Sequence, residues 1–335
     1  MTLTRHTLPL SPAELKAARR VNAVMAVTPR LKISGWRLAV GTRLNALASQ
    51  ASGRLSAARL GRKGIAVSSL TLQTPDGPVA LRILEPAERP RGIVVDLHGG
   101  GWVVGSAALN DRLTAHFVHA GFVVVSVDYR LLTQGLEDSL ADAVADCTQA
   151  IRWARSEGQA RFGSETVLVI GESAGAHLGA LAMLKLRDEG ERDLPPCAFV
   201  QGVFDLSGTP SVRAATPRTL LFDGPNLQRD LARLAPDRDE AGLRSPDLSP
   251  LYADLNGMPA ALFVMGEEDP LKDDSRLMAE AWSGHAPTTL LDVPTAPHGF
   301  QHFASTTARA AQSFILRWLD ARMQSEPVSV DNANR

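Results

Sequence analysis

A serine, an acid and a histidine stand in this chain in an order and a local setting that suit acyl transfer. Ser173 lies in Gly171-Glu172-Ser173-Ala174-Gly175, between the apolar run Thr166 to Ile170 and a segment from Ala176 to Arg187 with helical character. Thr, Val, Leu, Val and Ile in succession predict a fully buried parallel strand, and Gly-X-Ser-X-Gly directly after it fits a nucleophile elbow. The spacing has a mechanical reason: strand and helix must reverse within a few residues, which strains the serine backbone and leaves its neighbours two places away no room for side chains. Ser173 is therefore expected at the carboxyl end of a strand and the amino end of a helix, where free backbone N–H groups bind developing negative charge.

A serine hydroxyl is a poor nucleophile near neutral pH and needs a base, an orienting acid and donors for the oxyanion. Open parallel sheets gather such groups beyond the carboxyl ends of their strands. After an expected strand at Ile93 to Leu97 comes His98-Gly99-Gly100-Gly101-Trp102, whose three glycines leave the backbone free to turn its N–H groups into the cleft opposite Ser173. His98 is expected to order that loop rather than to act as the base. After Ala260 to Met265 comes Gly266-Glu267-Glu268-Asp269-Pro270-Leu271-Lys272-Asp273-Asp274, which offers five carboxylates. Asp269 is the expected orienting acid and Asp273 the reserve, with the acids other than Asp269 read as a solvated charge run. After Thr288 to Val293 comes Pro297-His298-Gly299-Phe300, which supplies the expected base. The acid follows the serine by 96 residues and the histidine follows the acid by 29, the chain order that goes with a Gly-X-Ser-X-Gly elbow. Glu172 is expected to brace the elbow, while His177, His285 and His302 are read as structural. No Cys/His/Asp grouping has metal-ligand spacing and no glycine-rich loop is followed by the lysine of a phosphate cradle, so neither metal nor cofactor is expected.

These loops need a scaffold, and the hydropathy pattern supplies one. Eight strands are expected: Ile65 to Leu72 and Val79 to Leu84 across a Pro75-Asp76-Gly77 hairpin turn, then Ile93 to Leu97, Phe122 to Val127, Thr166 to Ile170, Ala198 to Val203, Ala260 to Met265 and Thr288 to Val293. Helical patterns at Asp138 to Arg155, Ala176 to Arg187 and Asp273 to Trp282 lie between them, so right-handed crossovers and a mostly parallel sheet with helices on both faces follow. One crossover, Val203 to Ala260, is far longer than a crossover needs and carries helical stretches near Val212 to Leu221 and Leu227 to Leu234. It reads as an insertion folding over the sheet's carboxyl edge. Ahead of the strands, Ser11-Pro12-Ala13-Glu14 is a capping box that starts a helix, and a second helix is expected around Trp36 to Leu47. The domain reading is a helical cap segment at 1–63, a core at 64–204 and 258–323, a cap insertion at 205–257 and a flexible tail at 324–335.

Composition narrows the classes further. The chain has 335 residues, 44% hydrophobic and 21% charged, with no apolar run of bilayer-spanning length, so a soluble globular protein is expected. Met1 to Ser11 lacks the continuous apolar stretch of a secretory signal. Cys147 and Cys197 make no disulfide framework and read as buried thiols of a reducing, cytoplasmic compartment. The net charge of -1 hides an asymmetry: residues 1–63 hold twelve Lys or Arg against one acid, a net of +11, and the other 272 residues sum to -12. A basic segment lying against an acidic body is the plain reading, and peripheral contact with anionic lipid is the sharper one. Nucleic acid is set aside, because no aromatics interleave with the basic residues. The oligomeric state stays open, a homodimer being one option.

Taken together, HGGGW at 98–102, DYRL at 128–131, GESAG at 171–175, DPLKD at 269–273 and HGF at 298–300 make the chain resemble the α/β-hydrolase superfamily, and within it the hormone-sensitive-lipase-like carboxylesterases. The resemblance spans about 200 residues and implies an α/β-hydrolase fold: an eight-stranded, mostly parallel sheet under a helical cap made of the N-terminal segment and the insertion. By position, Ser173 is similar to the family's nucleophile, Asp269 to its acid and His298 to its base, and the amides of Gly100, Gly101 and Ala174 resemble its oxyanion hole. The expected function is hydrolysis of short- to medium-chain carboxylic esters through an acyl-enzyme, with an amidase or a deacetylase of a natural product as the alternative. A catalytically silent ligand receptor fits less well, since such proteins lose a triad member. The family commonly has Asp at the place of Glu172, Gly at the place of Ala176, and Ala-Pro-Glu where Leu132-Thr133-Gln134 follows here. These departures bear on subfamily and substrate choice.

Overall fold

The computed structural model describes residues 2–27, 53–132 and 139–323. Nine strands form one sheet in the order β1-β9-β8-β7-β6-β4-β5-β3-β2. They are β1 (Leu3–Thr7), β2 (Ala66–Thr74), β3 (Gly77–Glu85), β4 (Gly92–Leu97), β5 (Phe122–Asp128), β6 (Val167–Glu172), β7 (Cys197–Val200), β8 (Ala261–Gly266) and β9 (Thr288–Val293). Pairing is antiparallel only at β2 with β3 and at β3 with β5, and parallel elsewhere. All eight expected strands are present within a few residues of their expected bounds.

The ninth, β1, corrects the expectation of eight strands and of a purely helical 1–63 segment. Residues 3–7 pair in parallel with Thr288–Asp292 at the sheet edge, and four of the five are exposed. An edge strand whose side chains are mostly exposed shows no apolar alternation, so nothing in Leu-Thr-Arg-His-Thr announced it. The helix opened by the Ser11 capping box is α1 (Pro12–Ala26), and Asn22 on it donates to Thr295 O at 2.8 Å and Glu268 at 3.0 Å, just beyond β9 and β8. The expected helix around Trp36 to Leu47 and the tail at 324–335 lie outside the described residues.

Alternation along the central strands divides the core in two. Ile93, Val95, Val125, Val169, Phe199 and Phe263 face one layer, where α4 (Leu140–Trp153), α6 (Ala174–Asp188) and α10 (Lys272–Trp282) pack. Val94, Val124, Leu168, Val200, Leu262 and Val293 face the other, covered by α3 (Ala107–His119), α11 (Thr306–Met323) and Leu60 of α2, whose described part is residues 53–61. Strands buried on both faces carry apolar residues at most positions, which is why β4, β5 and β6 read as nearly continuous runs, with Asp96 and Ser126 hydrogen-bonded to each other at 2.8 Å. The helix α5 (Gln159–Phe162) leads into β6.

The insertion after β7 holds three short helices, α7 (Pro210–Arg213), α8 (Leu227–Ala232) and α9 (Glu240–Leu243). Asp274, read as part of a solvated charge run, is instead fully buried and anchors this insertion. It accepts from Phe204 N at 2.7 Å, Asp205 N at 3.0 Å and Thr209 Oγ1 at 2.7 Å. Burial pushes its carboxyl up from 3.8 to about 7, against the lowering effect of those three donors. An acid whose pKa is higher in the fold than in the unfolded chain binds more protons when folded, so stability falls as the pH climbs from about 4 to about 7 and levels off above. Asp274→Asn removes the titration and keeps one acceptor. Its melting temperature relative to wild type is expected to move in the variant's favour between pH 4 and pH 7; two thermal-unfolding curves that stay parallel over that range would contradict the assignment.

Candidate active site

The elbow is built as the residue spacing requires. Ser173 sits between β6 and α6 at φ 52, in the left-handed region that non-glycine residues rarely occupy. A Cβ added at Gly175 would lie 2.0 Å from Leu97 O, and one at Gly171 would lie 2.6 Å from Gly175 O. Neither position accepts a side chain, so the two flanking glycines are what allow the turn to pack against β4.

Ser173, His298 and Asp269, distant along the chain, come together here. Ser173 Oγ lies 2.9 Å from His298 Nε2, and His298 Nδ1 lies 2.9 Å from Asp269 Oδ2. All three residues are buried. Asp269 Oδ1 accepts from Leu271 N at 2.9 Å, which turns Oδ2 toward the imidazole. Asp273, the reserve acid, lies elsewhere: it accepts from Ser211 N at 2.9 Å and pairs with Arg276 at 3.1 Å.

The glycine loop faces the serine across a cavity of about 310 Å³ lined by Gly99, Gly100, Gly101, Ser173 and His298. Gly100 has φ 132, and a Cβ there would meet Val104 O at 1.9 Å, so only glycine gives the loop this path. The Ala174 amide opens α6, where the helix cannot satisfy its own first N–H groups. His98 holds the loop: its Nδ1 donates to Gly99 O at 2.7 Å, its ring stacks on Tyr129, and Tyr129 Oη donates to His98 O at 2.7 Å. Burial lowers the pKa of His98, which keeps it neutral in that position. Trp102 Nε1 donates to His177 Nδ1 at 3.1 Å, and His177 Nε2 donates to Leu248 O at 2.7 Å, so the neutral ring joins the loop to the insertion. Burial pushes His177 down to about 4. His285 lies away from the cavity, with its Nδ1 2.8 Å from Asn256 Oδ1.

The insertion supplies the cavity's apolar wall with Leu221, Phe222, Leu227 and Leu231. Phe222 packs on His298 with ring centroids 4.8 Å apart, and Arg233 beyond α8 donates to Gly101 O at 2.7 Å.

Two contributions escaped the sequence. Gln201, fully buried at φ 51 just past β7, donates from Nε2 to Asp269 Oδ2 at 2.7 Å and to Pro297 O at 3.0 Å, and accepts Gly299 N at 2.8 Å. One amide thus ties the acid to both flanks of His298. An isolated Gln after a strand carries no motif, so only its three partners mark it. The second is His302, read as structural, which lines the cavity with its Nε2 2.7 Å from Glu172 Oε1. Burial works to raise the Glu172 carboxyl, but the His302 charge and hydrogen bond outweigh it and hold it below the usual carboxylate range. Partial desolvation works to lower His302, and Glu172 outweighs it in the opposite direction.

Residues 94–302 match a family described by the α/β-hydrolase fold, and the chain belongs to it. It is 35% identical over 240 residues to the carboxylesterase NlhH of Mycobacterium tuberculosis, an alignment covering 66% of this chain and 70% of that protein. An arylesterase of Saccharolobus solfataricus is 33% identical over 217 residues, covering 63% of this chain and 68% of the relative. Among solved structures, the esterase LipW of Mycobacterium marinum superposes with a TM-score of 0.78 at 26% identity, over 93% of this chain and 98% of that one.

Gln201 offers a test of how the triad is held. Replacing it by Leu releases the acid and the histidine loop together, and a displacement near 1 Å costs on the order of 10²-fold in kcat. Gln201→Glu sets a second carboxylate against Asp269, which favours the imidazolium and should move the acid limb of kcat/KM to higher pH. An acid limb that stays in place in the Glu variant would show that position 201 only fills space.

Proposed function

We propose that the chain is a serine carboxylesterase in which Ser173 is the nucleophile, His298 the general base and Asp269 the orienting acid. The observation that carries this reading is the buried relay of 2.9 Å and 2.9 Å from Ser173 Oγ through His298 to Asp269, opening on a cavity walled by the glycine loop. His298 Nε2 takes the hydroxyl proton as Ser173 Oγ bonds to the ester carbonyl carbon. Asp269 Oδ2, accepting from Nδ1–H, holds the tautomer that leaves Nε2 free and stabilises the imidazolium that forms. The carbonyl oxygen gathers negative charge beside the amides of Gly100, Gly101 and Ala174, each worth about 3 kcal/mol of transition-state stabilisation. The imidazolium returns its proton to the leaving alcohol. A water, deprotonated by the same nitrogen, then releases the acid and regenerates Ser173.

Several relatives bear esterase names, NlhH among them, and this supports an ester as the substrate. The apolar wall from the insertion suits acyl chains of short to medium length, since a cavity of about 310 Å³ is at the lower end of small-molecule sites. Both thiols, Cys147 and Cys197, are buried and unpaired, which supports a reducing, cytoplasmic location.

Ser173→Ala is expected to lower turnover of p-nitrophenyl butyrate by on the order of 10⁶-fold with the fold unchanged by circular dichroism. Asp269→Asn should cost on the order of 10⁴-fold, and Asp273→Asn far less. Undiminished hydrolysis by the Ser173 variant would reject the mechanism. Paired rates on an ester and its matching amide test the leaving-group choice.

Among the described residues no helix is long and apolar enough to cross a membrane. The net charge of +11 on residues 1–63 favours peripheral contact with anionic lipid. Phosphatidylserine vesicles should then sediment the protein at low salt and release it at 0.5 M salt; protein left in the supernatant at low salt would rule the contact out.

A further inference from the structure

Two carboxylate–imidazole pairs share the active-site cavity, and the hydrolysis proposed above uses only one. The second, Glu172 with His302, is built on the same two stretches, one residue before Ser173 and four residues after His298. Glu172 is 9% exposed, whereas the His302 side chain is 46% exposed and lines the cavity. The pair therefore has a buried anionic end and a ring that reaches the space a substrate would fill.

The lining of the cavity is of two kinds. Leu221, Phe222, Leu227 and Leu231 from the insertion are apolar, while Glu172, His302, Ser106 and Asn110 bring polar atoms. Ester halves of different polarity would be sorted by such a cavity.

The ring has limited hydrogen-bonding options. Its Nε2 is committed to Glu172 Oε1 at 2.7 Å and must carry a proton there, because an ionised carboxylate only accepts. When the ring is also protonated at Nδ1, that N–H is a donor without an assigned partner among the described residues. We propose that His302, fixed by Glu172, is a specificity-determining residue whose Nδ1–H donates to an oxygen acceptor on the substrate a few bonds from the scissile carbonyl. The pair as a whole is neutral, and the Glu172 carboxylate lies within one ring of the donor. An anionic substituent would gain little there, so the class selected is an ester bearing a neutral ether, carbonyl or hydroxyl oxygen.

The charges around the ring set the pH range of the donor. Glu172 from the elbow and Asp96 from β4 favour the protonated ring, Arg112 from α3 and burial oppose it, and His298 on the same loop lies beside Glu172. Arg112 also donates to His302 O. The balance raises the His302 pKa, so the donor persists to higher pH than in an unperturbed histidine and is lost when Nδ1 deprotonates.

The inference rests on the esterase reading, and matched esters separate the two. p-Nitrophenyl pentanoate is compared with p-nitrophenyl 3-methoxypropanoate for the acyl half, and butyl acetate with 2-methoxyethyl acetate for the alcohol half. Each oxygen replaces one methylene, and each kcat/KM ratio is divided by the ratio of hydroxide-catalysed rates. Wild type is expected to favour the ether in one half by about tenfold at pH 7, the worth of a charge-assisted hydrogen bond net of desolvation. That preference should fall toward one in His302→Phe at any absolute rate, and in wild type as the pH is raised to 10. Glu172→Gln, which keeps an acceptor for Nε2 but removes the charge that favours the second proton, should lose the preference already at pH 7. Equal ratios in wild type and His302→Phe, no preference in either half, or a preference constant from pH 6 to 10 would each overturn the proposal. Where a variant fails to fold, the wild-type pH series decides alone. Failure to hydrolyse even the all-carbon esters would instead count against the esterase reading.

Discussion

The approach of the α6 backbone to the end of β4 is the constraint on which the site depends. Gly175 lies so close to Leu97 O that a methyl group there would sit 2.0 Å from it, and Ser173 takes its left-handed φ because the chain must turn within that space. Strain of this kind costs on the order of 1–3 kcal/mol and persists only where the surroundings over-determine it. They do so here: Ser173 N donates to Val200 O, and α6 packs on the core layer it shares with α4 and α10. The turn brings the hydroxyl beyond the strand, next to the glycine loop that leaves β4.

Three carboxylates at this edge of the sheet have three different roles, and the difference is one of partners. Asp269 accepts from His298, Gln201 and the Leu271 amide and so stays turned toward the imidazole. Asp274, five residues later, is buried among two backbone amides and a threonine and closes the insertion onto α10. Glu172 meets a second histidine that can carry charge. At Glu172 the charge and hydrogen bond of His302 outweigh burial and favour ionisation, whereas at Asp274 burial outweighs its three donors and the proton stays on up to about 7.

The insertion is coupled to the catalytic loops through polar contacts rather than by packing alone. Arg233 reaches Gly101 O, and His177 spans from Trp102 to Leu248 O. A half-buried guanidinium on a carbonyl and a neutral imidazole between an indole and a carbonyl both leave little freedom in how the insertion meets the glycine loop. The apolar wall of the cavity and the path of the glycine loop are in this way fixed by the same contacts.

Much of this was legible beforehand. The continuous apolar runs of the buried strands, the elbow glycines and the triple glycine after β4 are local signals, because each reflects what one short stretch of backbone can tolerate or bury, and the order serine, acid, histidine follows from which strand end carries which loop. β1 was not legible, since an edge strand whose side chains are mostly exposed imposes no side-chain pattern. Gln201 and His302 were not either, and Asp274 was misread, because a lone glutamine, histidine or aspartate has no meaning until its partners are known. The sequence by itself determined the fold class, the strand-end loops and the serine, acid and histidine that those loops carry. Only the tertiary structure decided which acid faces His298, which amide holds both, and which histidine shares the cavity, because hydrogen-bond partners 29, 68 and 130 residues apart are chosen by distance in space and not by spacing along the chain.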